Sequence, residues 1–276
     1  MKKICSIGLI LIMWIPVQSQ GDATYIDIVR AESELKTMFD KLYNEEVPGS
    51  NLDLYHIIDS TFQKALELPG SFDYAWRKLD KIGKLSSSDG EVKVFSWLYM
   101  TGENDYHYSA YIQLNKRMEE SESFKLITGN AENIKSENYN QQIDDWHGKI
   151  YYEMVTTQFK RKVFYTLIGA DFNNSYTTMK TMEVFAIQRG KPVFRSDQFM
   201  IGGTVKDRIV LEYSADLSIS VRYNNNLKMI VFDHLAPLHP IYTGNYQFYG
   251  PDGSYDGLKF EEGIWILEED VDARNR

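Results

Sequence analysis

Apolar residues recur at spacings of three and four over the first part of the chain, which predicts amphipathic helices. Two breaks, at residues 48–51 and 69–70, contain proline and glycine and divide this part into three helices. Ser71 is an N-cap residue for the third helix, which is predicted to run to Ile82. The pattern therefore predicts a helical segment over residues 20–85.

The apolar period changes from about 3.6 to 2 across the turn-forming residues 86–90, so helix is expected to give way to strand there. Alternation over residues 92–98 and again over residues 106–114 predicts a β-hairpin. Residues 115–146 are polar and rich in Asn and Glu. They predict a weakly ordered loop or a short helix.

Short strands separated by turn residues make up the rest of the chain. They are predicted at residues 149–159, 163–169, 178–188, 192–194, 208–213, 218–223, 228–233, 246–249, 255–261 and 264–268. Such a series indicates an antiparallel meander that forms a curved sheet, barrel or sandwich. The predicted fold class is α+β, with the β region over residues 86–276 packed against the helices as one unit.

The N-terminus has the pattern of a secretory signal peptide. A basic Met-Lys-Lys start precedes an apolar stretch over residues 4–17, which is shorter than the roughly 20 residues of a membrane span. Val17 and Ser19 are small residues at the −3 and −1 positions of a cleavage before Gln20. We expect residues 1–19 to be removed, leaving a periplasmic or extracellular protein with no transmembrane span.

The number and position of the cysteines and the net charge argue against several classes of protein function. The single cysteine, Cys5, lies inside the predicted signal peptide and too near its start to be a lipoprotein acylation site. A mature chain without cysteine excludes disulfides and thiolate chemistry, and it fits bacterial export. The chain of 276 residues has 30 basic and 39 acidic residues, a net charge of −9, which argues against nucleic-acid binding.

Five segments of the C-terminal half carry a resemblance to a known family. They are YTLIGADFNN at 165–174, KPVF at 191–194, IVFDHL at 230–235, YQFYGPDGSYDG at 246–257 and VDARN at 271–275. Over roughly residues 148–275 the chain resembles an uncharacterised family of exported proteins from Bacteroidota. The resemblance implies a bacterial source and export, and it implies no activity.

A first candidate site is the segment Asp252-Gly-Ser254-Tyr-Asp256-Gly, which places side-chain oxygens at alternate positions. Calcium binds several such oxygens on a tight loop, although Gly263 stands where a calcium loop needs its bidentate Glu. The alternative is a hairpin turn rich in Asp and Gly. Residues 171–175 admit the same two interpretations. We expect no cofactor, with calcium as the alternative.

A second candidate site is Asp233-His234, with His239 five residues further on. Two imidazoles and a carboxylate suit zinc, and a single His oriented by a carboxylate suits general-base catalysis. The alternative is a histidine at a strand end whose ring bonds the neighbouring backbone. Tyr246 and Tyr249, close by, could stack on a sugar or point into the core.

Together these observations predict an exported, non-enzymatic binding or interaction protein with a glycan or protein ligand. The alternative is a periplasmic hydrolase acting on glycan or peptide, with Asp233, His234, Asp252 and Asp256 as candidate catalytic residues. We expect His234 and one of the latter two aspartates to share a concave surface with Tyr246 or Tyr249.

The cleavage site gives the first testable prediction. The exported protein should have the intact mass of a chain that begins at Gln20, because residues 17–19 provide the small residues that signal peptidase requires. Mass spectrometry of the periplasmic or secreted protein measures this. Recovery of the full-length mass, with Met1, from a membrane fraction would contradict the prediction.

Overall fold

Two N-terminal helices, α1 (Ser19–Tyr43) and α2 (Leu52–Leu66), begin the fold. The computed structural model describes residues 19–44, 46–47, 49–102, 105–116, 122–129, 135–139 and 141–273. Residues 1–18 of the predicted signal peptide lie outside this description. No helix among the described residues is long and apolar enough to cross a membrane.

The predicted third helix is wrong. Residues 67–82 form turns and irregular backbone instead. The Ser71 hydroxyl donates a hydrogen bond to the Leu66 carbonyl at 2.6 Å, so it closes the end of α2 rather than starting another helix. Trp76 has a left-handed φ of 47°, which a helix cannot include.

The first sheet contains the predicted hairpin and is antiparallel in the order β1-β2-β3-β4. Its strands are β1 (Gly83–Ser86), β2 (Val92–Gly102), β3 (Asp105–Leu114) and β4 (Glu122–Leu126). β1 starts before the expected transition. β4, together with a bridge between Thr128 and Trp146, corrects the prediction of a loop or short helix over residues 115–146.

The central sheet has the order β11-β7-β6-β5, and β8 also pairs with β7. Its strands are β5 (Ile150–Phe159), β6 (Lys162–Asp171), β7 (Thr177–Gln188), β8 (Lys191–Phe194) and β11 (Arg208–Ser214). Their bounds lie within two residues of the predicted ones. Short connections join β5 to β6, β6 to β7 and β7 to β8, whereas two strands of another sheet precede β11 in the chain.

The third sheet has the order β10-β9-β15-β14-β13-β12, in which only β15 and β9 run parallel. Its strands are β9 (Phe199–Ile201), β10 (Thr204–Lys206), β12 (Val221–Asn224), β13 (Met229–Pro237), β14 (Tyr249–Glu261) and β15 (Ile264–Glu268). The predicted strand at residues 246–249 is wrong for its first three residues, because Tyr246–Phe248 is a 3-10 turn. Tyr249 does lie in a strand, as the first residue of β14. The α+β prediction is confirmed.

Three apolar cores separate four layers: the helices, the first sheet, the central sheet and the third sheet. The core between the helices and the first sheet includes Phe39, Phe62, Trp97 and Tyr111. The core between the first and central sheets includes Val94, Ile112, Leu167 and Phe185. The core between the central and third sheets includes Ile168, Met182, Phe232 and Trp265.

The first and central sheets come closest where β1 and β2 meet β5. The Tyr151 backbone N–H donates to the Ser96 hydroxyl oxygen at 3.0 Å, across the gap between the two sheets. A Cβ built on Gly83 would lie 2.8 Å from Ser96 Oγ and 2.9 Å from the Tyr151 carbonyl oxygen. Only glycine therefore permits this approach.

A substitution at this contact tests the layer order. Gly83→Ala should lower the free energy of unfolding by about 1–3 kcal/mol, because the Tyr151 backbone oxygen cannot move away without displacing β5. Ser86→Ala, at an exposed position of the same strand, is the control and should change it by less than about 0.5 kcal/mol. Urea unfolding measures both, and a Gly83→Ala variant as stable as the parent would contradict the packing described.

Candidate functional site

The structure brings together two of the predicted site residues, His234 and Asp256. The register of β13 against β14 shifts between Asp233 and Leu235, so His234 is the residue at the irregularity. Its Nδ1 lies 2.8 Å from Asp256 Oδ2. Asp256 is buried, whereas the side chain of His234 is 43% exposed. The ring is therefore oriented by the carboxylate and presents one edge to solvent.

The surroundings of His234 are acidic. The hydrogen bond to Asp256 raises the pKa of the imidazole above its usual value, and the charges of Asp256, Asp252 and Asp270 add to this effect. The backbone N–H of Asp270 also approaches Asp256 Oδ1 at 3.4 Å. The pair thus joins β13, β14 and the segment after β15 at one point.

The structure does not form the predicted separate calcium loop, because residues 252–257 lie within β14. Residues 255–257 pair with β13, whereas residues 252–254 fall in the register irregularity opposite His234. Asp252 Oδ1 instead accepts hydrogen bonds from the Ser254 N–H at 2.9 Å and hydroxyl at 2.7 Å, which lower the pKa of Asp252. The described part of the chain contains no group of three or more His, Cys, Asp or Glu placed to hold a metal ion.

The other predicted residues have local partners. Asp233 Oδ2 accepts a hydrogen bond from the Ser220 N–H at 2.6 Å. His239 Nδ1 accepts one from the Ile241 N–H at 3.3 Å and caps the 3-10 turn Pro240–Tyr242. The zinc hypothesis therefore lacks its second imidazole.

Turn chemistry is confirmed for residues 171–175. Asp171 Oδ1 accepts from the Asn173 N–H, and Asn174 Oδ1 accepts from the Thr177 N–H, both at 3.0 Å.

Tyr246 and Tyr249 pack on each other, with ring centroids 4.9 Å apart. Tyr246 is 43% exposed, and the Tyr249 hydroxyl accepts a hydrogen bond from the Gly244 N–H. Tyr246 belongs to the segment between β13 and β14, and Tyr249 is the first residue of β14. The Leu238 N–H donates to the Phe248 carbonyl and joins the two ends of this segment. A concave surface shared with His234 stays a prediction.

A cleft of about 590 Å³ lies elsewhere, at one end of the first and central sheets. It is bordered by the turn before β2, the β5–β6 turn, and the β7–β8 hairpin with the residue that follows it. Val163, Tyr165 and Ile187 supply its apolar wall. Its volume falls in the range of about 300–1,000 Å³ typical of small-molecule sites.

Three basic residues, Arg161, Lys162 and Arg195, line this cleft. None of them forms an ion pair with a described residue. The Nε of Arg195 is buried and has no hydrogen-bond partner among the described residues. A buried donor left unsatisfied costs roughly 1–3 kcal/mol, and no described residue offsets this cost at the Arg195 Nε.

Asp89 also lines the cleft and is held in a fixed orientation. Its Oδ1 accepts hydrogen bonds from the Ser87 hydroxyl at 2.6 Å and the Glu91 N–H at 3.2 Å. Its Oδ2 accepts one from the Tyr165 hydroxyl at 2.8 Å. Burial and this bond raise the pKa of Tyr165, which stays a neutral donor. The turn before β2 is thereby tied to the central sheet.

Neither this cleft nor a buried ionic cluster in the central sheet was predicted from the sequence. Glu183 forms ion pairs with Lys149 and with Arg208, the latter at 3.6 Å. Its other oxygen accepts from the Tyr151 hydroxyl at 2.9 Å and the Gln141 amide at 3.2 Å. A glutamate between the apolar residues Met182 and Val184 of a predicted strand was the available signal for the cluster.

Comparison of the chain with protein-family models, with curated proteins and with solved structures found no match. The support for the candidate sites therefore comes from the geometry of the structure.

The His234–Asp256 pair gives a pH prediction. His234 should titrate above the ordinary histidine pKa of about 6.5, and Asp256→Asn should bring its pKa down. Because the folded pKa is raised, the pair stabilises the fold below the unfolded pKa, and this stability is lost as pH rises through the folded pKa.

NMR titration of the His234 ring measures this directly. Asp233→Asn is the matched control, because Asp233 bonds the Ser220 backbone and should leave the His234 pKa unchanged. An unshifted His234 in the parent protein, or the same pKa in Asp256→Asn, would contradict the pairing.

Proposed function

We propose that this chain is an exported binding protein that holds a small anionic molecule in the cleft between the first and central sheets. The observation that carries the proposal is the set of three cations, Arg161, Lys162 and Arg195, around an apolar-walled cleft with no ion-pair partner among the described residues. Export is supported by the sequence of residues 1–19 and by the resemblance to exported Bacteroidota proteins.

Charge distribution supports an anionic ligand. The chain as a whole has a net charge of −9, so unpaired cations gathered in one cleft differ in sign from the overall field. The three cations outnumber the two carboxylates, Asp89 and Glu91, that also line the cleft. An excess of one sign of charge concentrates ligands of the opposite sign and raises their association rate. Guanidinium groups bind carboxylate or phosphate through two parallel hydrogen bonds, and Arg161 and Arg195 both line the cleft.

A second candidate, a hydrolase acting on glycan or peptide, is favoured by the His234–Asp256 pair. Asp256 would hold Nδ1 and leave Nε2 of His234 to take a proton from water or a nucleophile. Asp233 bonds the Ser220 backbone and Asp252 bonds Ser254, so neither is joined to the pair by a hydrogen bond. This candidate therefore depends on His234 and Asp256, and the titration described above tests the pair it requires.

Calorimetric titration with phenyl phosphate tests the binding proposal. The parent protein should bind one equivalent, and Arg195→Leu should weaken binding at least about tenfold, because it removes charge-assisted hydrogen bonds worth roughly 1.5–3 kcal/mol. Arg222→Leu, at an exposed position of β12, is the matched control and should bind like the parent.

Arg161→Leu, on the exposed β5–β6 turn, serves as a second variant in case Arg195→Leu is unstable. It should also weaken binding, because Arg161 lines the same cleft. Absence of binding by the parent protein, or binding by both cleft variants that is as tight as that of the parent, would overturn the proposal.

A further inference from the structure

The cleft contains anionic as well as cationic side chains, since Asp89 and Glu91 line it together with the three basic residues. We infer that its ligand is a zwitterion, a short peptide whose free carboxylate meets Arg195 and whose free ammonium meets Asp89. The inference rests on the proposed function, because it names the ligand class of the same cleft.

Asp89 can accept one further hydrogen bond. A carboxylate offers about four lone-pair sites, and three of those on Asp89 are used by Ser87, Glu91 and Tyr165. The remaining site is on Oδ2, the oxygen that already accepts from Tyr165. Its orientation is fixed by these bonds, so a ligand ammonium would meet a preorganised acceptor.

The two carboxylates of the cleft discriminate against a ligand that has only negative charge. A ligand with only negative charge would gain from Arg195 but would also lie near two carboxylates, and like charges in a partly desolvated site are unfavourable. A ligand with both charges satisfies both sets.

The size and polarity of the cleft fit a short peptide. At about 590 Å³ the cleft is in the range that holds a drug-sized ligand, which favours a di- or tripeptide over a single amino acid. Val163 and Ile187 provide apolar wall for one of its side chains. A peptide in this cleft would thus use the cations, the carboxylates and the apolar surface together.

Calorimetry with three forms of one dipeptide tests the inference: free alanyl-phenylalanine, its N-acetyl form and its C-terminal amide. The free form should bind most tightly, and each blocked form should bind at least about tenfold more weakly, since each loses one charged contact. Asp89→Asn should remove the preference over the N-acetyl form, and Arg195→Leu the preference over the amide.

Two further variants separate chemistry from folding. Glu91→Gln alters the second carboxylate without touching the Asp89–Tyr165 bond, and it should also reduce the preference for the free ammonium. Asp53→Asn, an exposed acid on α2, is the control and should bind all three forms like the parent.

The outcomes distinguish this inference from the proposed function. Equal binding of the free and N-acetyl forms, or binding of phenyl phosphate but of no dipeptide form, would overturn the inference and leave anion binding standing. Failure of phenyl phosphate and of every dipeptide form to bind would overturn both. Binding of phenyl phosphate together with tighter binding of the free dipeptide, which either block and the matching variants weaken, would support both.

Discussion

Burial of the central sheet on both faces is the constraint on which the rest of the structure depends. Along β6, Tyr165 and Leu167 face the first sheet, whereas Phe164 and Ile168 face the third sheet. A strand buried on both faces must be apolar at successive positions, which is what β6 provides. The helices then need only cover the outer face of the first sheet, where Trp97 and Tyr111 pack against them. Four layers follow from one doubly buried sheet.

The ionic cluster around Glu183 interrupts this apolar sheet at a defined place. Burial alone would raise the pKa of Glu183, but the adjacent Lys149 and Arg208 charges lower it, so the carboxylate stays ionised. Removing one partner of such a pair typically costs about 3–5 kcal/mol because an uncompensated charge remains. Since Arg208 and Glu183 are directly opposed in the β11–β7 register, a slip of one residue would separate them. The cluster therefore fixes the register of an edge strand that packing alone would specify less well.

Local patterns predicted what local interactions determine. Alternation identified β5, β6, β7 and β8 because short connections join them, whereas the predicted third helix is absent for a tertiary reason. The buried Glu32 of α1 accepts hydrogen bonds from the Tyr74 hydroxyl and the Lys78 N–H, which hold residues 67–82 in turns and irregular backbone. Residues 252–257 were expected to form a turn and lie within β14, where residues 255–257 pair with β13. The proximity of His234 and Asp256 was expected; the cleft was not, because its charges come from turns far apart in sequence.

The cleft is assembled from segments that are far apart in the sequence, which makes it both hard to predict and rigid. Its cations lie on the β5–β6 turn and just after β8, and its carboxylates lie on the turn before β2, so no single segment contains the site. The doubly buried sheet holds the first two segments, and the Asp89–Tyr165 hydrogen bond fastens the third to that sheet. A site assembled in this way is ordered before a ligand arrives, so binding does not have to supply the entropy of ordering three loops. The layers that bury both faces of the central sheet therefore also preorganise the cleft at its end.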